Sequence, residues 1–295
     1  MRRTRSGLLA ALPLLFAPLA GQDQPAEGFR VDKIETGLRY AEGPAWSREG
    51  FLIFSDVPAD RLLKLVPGQH PVTWKEQAGG PTGNAFDSQG RLYSCQARAR
   101  RVVRYDSKGK PEVLAEQWEG KRLNAPNDIV VRNDGHAYFT DPAFGYQADT
   151  RELDFYGVFH ITPRRELKLV AKSAGRPNGV ALSPNGRILY ISDSDQKAIR
   201  AYDLDGKGEV SNERVLVSGT EGVPGGMRTD SQGNLYVAAD GIAVYSSQGK
   251  LLETIPLGEP ASNCAFGGAE GQALFITAGA SLYLVRLEGR GAARH

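Results

Sequence analysis

One short pattern recurs six times along this 295-residue chain, and the recurrence limits the fold more than any other feature. Its clearest copy occupies residues 123–142. Asn124-Ala125-Pro126-Asn127-Asp128 leads into the apolar Ile129-Val130-Val131, Asn133-Asp134-Gly135 turns the chain back, and Ala137-Tyr138-Phe139-Thr140-Asp141-Pro142 returns it. Asn-Asp-Gly between two β-rich runs is a hairpin signal. An antiparallel hairpin returns to the level it left, which puts Asn127 and Asp141 at the same end of the unit.

The other copies begin at Glu42-Gly43-Pro44-Ala45-Trp46, Gly83-Asn84-Ala85-Phe86, Pro177-Asn178-Gly179, Gly225-Gly226-Met227 and Asn263-Cys264-Ala265-Phe266. Each passes through a glycine-containing turn to a second apolar run. The anchors fall at 42, 84, 127, 178, 225 and 263, at intervals of 42, 43, 51, 47 and 38 residues. A period in the forties, with two clear strands and one or two weaker ones per unit, describes propeller blades. The sequence therefore predicts an all-β, six-bladed β-propeller. Residues 29–34 precede the first anchor without a blade of their own, and only residues 281–287 follow the sixth hairpin. The N-terminal strand is expected to supply the outer edge of blade six, closing the ring and covering an exposed edge.

Thirty-five glycines and 17 prolines without a collagen period fit many short strands joined by tight turns. The start differs: Met1-Arg2-Arg3-Thr4-Arg5 is basic, residues 8–20 are apolar, and Ala17, Ala20 and Gly21 are small. This is the pattern of an export signal, and the apolar run is shorter than the roughly 20 residues of a membrane span. The expected organisation is an export signal over 1–21, a linker over 22–28, one propeller domain over 29–290 and a tail over 291–295, with a periplasmic or extracellular destination. Residues 1–20 hold three of the 36 basic residues and none of the 34 acidic ones, so their removal leaves a balance of about −1. That balance argues against nucleic acid and, once the signal is removed, against a membrane as partner. A small molecule remains, and the oligomeric state stays open. Cys95 and Cys264 fall in blades two and six with blade one between them, so they are expected to be buried free thiols.

In a propeller the first strand of each blade lines the central channel, so the anchors Glu42, Asn84, Asn127, Asn178, Gly225 and Asn263 converge on one axis. One carboxylate with several amide oxygens suits a hard divalent cation, Ca²⁺ first, with Zn²⁺, Mg²⁺ or Mn²⁺ as the other possibilities. Such a set forms no histidine or thiolate cage, and no Gly-x-Ser-x-Gly elbow suggests a serine nucleophile. The long interval between Asn127 and Asn178 contains Phe144, Tyr146, Phe155 and Tyr156, aromatics expected to form a rim over a ring-shaped substrate.

The motifs Glu42-Gly43-Pro44-Ala45-Trp46, Asn124-Ala125-Pro126-Asn127-Asp128, Tyr138-Phe139-Thr140-Asp141-Pro142, Arg176-Pro177-Asn178-Gly179 and Leu189-Tyr190-Ile191-Ser192-Asp193 resemble the senescence marker protein/gluconolactonase (regucalcin-like) family. More distantly they are similar to diisopropyl fluorophosphatase and the paraoxonases. The resemblance covers about residues 29–288. It implies a metal-dependent hydrolase that opens a sugar or related lactone, with Glu42, Asn127 and Asn178 at metal-binding positions. One position departs from the pattern: the family's blade-five Pro-Asp-Gly-Met is Pro224-Gly225-Gly226-Met227 here, which removes an anionic ligand and proposed base. Asp193 and Asp240, each ending a second strand at the anchor end, are the expected catalytic replacements. Asn84, Asn263, Asp141, Phe144 and Tyr146 are the expected substrate contacts. The missing Asp leaves a non-catalytic, ligand-binding propeller as the alternative.

Overall fold

The structure, a computed structural model, describes residues 30–287, so the expected export signal, the linker and the tail lie outside the described residues. Six four-stranded antiparallel sheets form the blades. In blade one the strands run Ala41–Ser47, Phe51–Asp56, Arg61–Leu65 and Val72–Glu76 from the axis outward. The inner strands of blades two to six are Pro81–Phe86, Ile129–Val131, Pro177–Leu182, Met227–Thr229 and Ala261–Gly267. A small hairpin, Gln117–Trp118 with Lys121–Arg122, lies between blades two and three.

Both sheet faces of a blade pack on neighbouring blades, which explains why the first and second strands are almost continuously buried. Six separate apolar clusters result, one at each blade interface. Phe54 and Phe275 join blades one and six, and Tyr190 and Val237 join blades four and five. Cys95 and Cys264 are buried, unpaired members of two such clusters.

At the anchor level a second set of contacts runs round the ring. Ser55 Oγ donates to Thr82 O (2.7 Å), Gly83 N to Asn127 O (2.7 Å) and Thr140 Oγ1 to Asn178 O (2.6 Å). Ser192 Oγ donates to Gly225 O (2.7 Å), Gly226 N to Ser262 O (2.8 Å) and Ser262 Oγ to Ala41 O (2.8 Å). Every blade is thereby tied to the next by a buried hydrogen bond beside the axis. Such bonds contribute about 1 kcal/mol each, and leaving a partner unsatisfied costs more.

The ring closes as the sequence predicts. Val31–Glu35 pairs antiparallel with Ser281–Arg286 and completes blade six from the outside. Removing residues 31–35 should expose the edge of Ser281–Arg286 and separate the unfolding of blade six from the rest. The expected result is a broadened or two-step urea transition in place of a single cooperative one.

Candidate functional site

Four inner strands carry a register shift at the anchor level, between Glu42 and Ala45, Pro81 and Asn84, Pro177 and Val180, and Ala261 and Asn263. An irregularity of this kind bends the strand and re-aims its side chains. In blade one it passes through Gly43, whose φ is +52° and where any Cβ would overlap Thr82 O, so no side chain fits there. Glu42 therefore turns toward the axis.

Glu42, Asn127 and Asn178, from blades one, three and four, line one cavity of about 620 Å³, with Tyr40, Pro58, Arg98, Phe144 and Gln147 around it. Asn127 Nδ2 donates to Asn178 Oδ1 at 2.7 Å, and Asn178 Nδ2 donates to Ser194 Oγ at 3.0 Å. Glu42 Oε2 accepts from Gly43 N at 2.7 Å and from Asn263 Nδ2 at 3.3 Å. Burial, and then the nearby Asp128 carboxylate, push the Glu42 carboxyl up to about 7. Tyr40, raised to about 12 mainly by burial and then by Glu42, stays a neutral phenol at the cavity wall.

The other expected site residues fall elsewhere. Asn263 does not line the cavity but holds Glu42 from the side. Asn84 is fully buried; its Nδ2 donates to Gly43 O (2.8 Å) and Ser55 Oγ (2.9 Å), bracing the Glu42 bend. Of the long blade-three connection, Phe144 reaches the cavity with the Arg176 guanidinium 4.9 Å above its ring, whereas Phe155 turns inward toward Phe159. The side chain of Tyr146 lies outside the described residues.

Asp193, expected as a catalytic group, and Asp141, expected as a substrate contact, do not line the cavity and instead clamp backbone N–H groups. Both are completely buried. Asp193 accepts from the backbone N–H groups of Gly175 (3.1 Å), Asp195 (3.1 Å) and Gln196 (3.0 Å). Asp141 accepts from those of Asn124 and Ala125, both at 2.8 Å. Asp56 does the same for Arg39 and Tyr40. Each acid fixes residues of the segment leading into its own blade's anchor, while the hydroxyl just before it, Ser55, Thr140 or Ser192, hooks the next blade. Asp240 is exposed, is not among the cavity residues, and has no preceding hydroxyl. Blade five thus lacks both the acidic anchor and the clamp.

Two channel residues escape the sequence pattern. Asp128 is buried, its Oδ1 has no hydrogen-bond partner, and its Oδ2 accepts from Val180 N at 3.1 Å and lies 3.4 Å from Arg228 Nη1. The signal for both is an ionisable residue within an otherwise apolar inner run, Asp128 before Ile129 and Arg228 after Met227.

The fold and cavity define a class: six-bladed propellers with an oxygen-lined axial site. Residues 40–280 match the family model described as SMP-30/Gluconolactonase/LRE-like region, and the chain belongs to that family. It is similar to a gluconolactonase of Zymomonas mobilis, 32% identical over 293 residues that span 88% of this chain and 82% of the relative. It is also similar to the diisopropyl-fluorophosphatase of Loligo vulgaris, 27% identical over 83% of this chain and 87% of that one. Among solved structures, a gluconolactonase from Xanthomonas campestris matches with a TM-score of 0.82 and 32% identity, covering 89% of this chain and 90% of that one.

Two substitutions test the assignments. Asp193→Ala should lower stability by about 1–3 kcal/mol in urea titrations, because backbone N–H groups lose their acceptor. A loss of turnover with unchanged stability would restore Asp193 to a chemical role. Gly225→Asp should also destabilise, by about 1–3 kcal/mol from overpacking. A Cβ there meets Ser262 O at 2.5 Å, so the backbone of blade six leaves no room for a side chain at this anchor.

Proposed function

We propose that this chain is a lactonase whose reaction takes place in the Glu42 cavity, with a divalent cation, Ca²⁺ first, held by Glu42, Asn127 and Asn178. The observation that carries this reading is the convergence of those three side chains, from three blades, on one cavity of about 620 Å³ in a chain of the gluconolactonase family. The family relationship supports a lactone-opening enzyme over a purely binding propeller.

The donor set fits a hard cation. Glu42 is a half-buried carboxylate whose hydrogen-bond partners are a backbone N–H and an amide, with no basic side chain among them. An anion partly withdrawn from water without a counter-ion is costly, and the accompanying Asn amide oxygens are hard, neutral donors. Among the described residues no three His, Cys, Asp or Glu side chains cluster as a metal cage, so Glu42 is the one anionic donor of the set. With a single charged ligand the site is expected to hold its cation weakly.

When bound, the cation would polarise the lactone carbonyl and stabilise the developing oxyanion. The chain's own residues bind and orient. Tyr40, Pro58 and Phe144 offer apolar surface to the substrate ring, and Arg98 and Gln147 offer donors to its hydroxyl groups. Hydrolysis adds water across the ring ester: the acyl C–O bond breaks, the ring oxygen leaves as a hydroxyl, and the acyl carbon becomes a carboxylate with release of a proton. A sugar or related lactone fits this mixture of apolar and polar surface.

Glu42→Gln should abolish both calorimetric cation binding and proton release from added δ-lactones; full hydrolysis by that variant would overturn the reading. The sign of the pH dependence also follows. With its folded value raised from 4.5 to about 7, Glu42 retains in the metal-free folded chain a proton that the unfolded chain releases. Its contribution to metal-free stability therefore falls as pH rises through this window. Cation affinity should rise over the same interval, and calorimetry at pH values about one and a half units below and one unit above that folded value would register the difference.

A further inference from the structure

The channel has a second mouth, which the lactonase reading does not use. On the inner strand of blade one, Glu42 and Trp46 are both partly exposed, while the three residues between them are buried. Glu42 lines the cavity already described, and Trp46 lines a different one of about 500 Å³. All six inner strands contribute to this second cavity. Its size falls within the range of small-molecule sites.

Its walls are apolar and fixed. Trp46 stacks on Phe275 (5.3 Å between centroids, 13° between planes), Phe86 packs edge-on against Phe51 (6.0 Å, 83°) and Phe266 edge-on against Tyr236 (5.0 Å, 81°). Val131 and Leu182 add to the apolar lining, with Asn84, Asp87 and Thr229 among its polar members. Each ring is supported from behind, so the cavity does not depend on an ordering step to form.

Arg228 reaches into this apolar space from blade five, and its side chain is only 12% exposed. Its three hydrogen bonds all use Nη1, which donates to Met227 O (2.7 Å), Val180 O (3.3 Å) and Asp128 Oδ2 (3.4 Å). Nε and Nη2 have no protein partner among the described residues. These two nitrogens form the edge of a guanidinium that grips a carboxylate in parallel, and burial in an apolar funnel strengthens that grip. Of the carboxylates nearby, Asp128 is the ion-pair partner of Arg228 through Nη1, and Asp87 is engaged by Arg91 Nε at 2.7 Å and by the N–H groups of its own turn; Arg48 also lines the mouth.

We infer that this second mouth is a binding site for a small monocarboxylate with an apolar body, its carboxylate on Nε and Nη2 of Arg228 and its hydrocarbon against Trp46, Phe86 and Phe266. The inference is independent of the chemistry assigned to Glu42.

The probe is 4-phenylbutanoate, titrated calorimetrically into the full chain beside its neutral amide. Saturable one-to-one binding is expected, with the amide weaker by about tenfold or more because it lacks the charge that the guanidinium reads. Arg228→Met should lose the preference for the acid, and Glu42→Gln should keep it. Arg228 also touches Asp128, so a second variant avoids reliance on its folding: Phe266→Glu, at a partly exposed wall position, should abolish binding while the far-ultraviolet spectrum stays that of the parent. Absence of saturable binding at millimolar probe, equal affinity for acid and amide, or unchanged binding by folded Arg228→Met or Phe266→Glu would overturn the proposal. So would loss of binding in Glu42→Gln alone, which would put the carboxylate at the opposite mouth.

Discussion

The circle of hydrogen bonds beside the axis is the constraint on which the rest of the molecule depends. Apolar packing between blades is non-directional and would tolerate a small rotation or slide of one blade against the next. The donations from Ser55, Gly83, Thr140, Ser192, Gly226 and Ser262 do not, because each reaches a defined acceptor on the neighbouring blade. Their acceptors lie at the anchors or within two residues of them. The contacts that lock the ring therefore also set the positions of Asn127 and Asn178 relative to Glu42. Precision at the site and integrity of the fold share the same atoms.

This sharing explains the recurrent Ser-Asp and Thr-Asp pairs. The hydroxyl faces the next blade and the carboxylate faces the lead-in to its own anchor, so a two-residue motif fixes both sides of a blade junction. Blade five has neither the pair nor an acidic anchor, and there the backbone of Gly225 comes close against Ser262. A glycine is what this junction, like those at Gly43 and Gly179, leaves room for.

The sequence is most legible where a physical requirement repeats. Six anchors, six glycine turns and apolar second strands disclose the blade number, the axial position of Glu42, Asn127 and Asn178, and the closing strand. The outermost strands are harder to see because one edge faces solvent. Val210–Ser218 and Leu251–Pro256 are mostly exposed, and their polar alternation resembles that of loops. The role of Asp193 is hidden for a different reason. An acid ending a strand near the axis has the same spacing whether its oxygens face a cavity or the backbone of its own blade, and three N–H groups decide the matter. Asp128 and Arg228 each stand out as an ionisable residue in an apolar run, but their pairing stays silent in the sequence because it spans two blades and 100 residues of chain, a distance over which sequence periodicity carries no information.

The pairing of Val31–Glu35 with Ser281–Arg286 also has a temporal side. Of the described strands the ribosome makes Val31–Glu35 first and its partner last, so the circle can close only when all six blades have been made. A product interrupted before Ser281–Arg286 is left as an open arc with unpaired strand edges, the form that proteases and chaperones recognise, while the closed ring has its first and last strands paired with each other. The geometry of closure thus acts as a length check on the polypeptide itself.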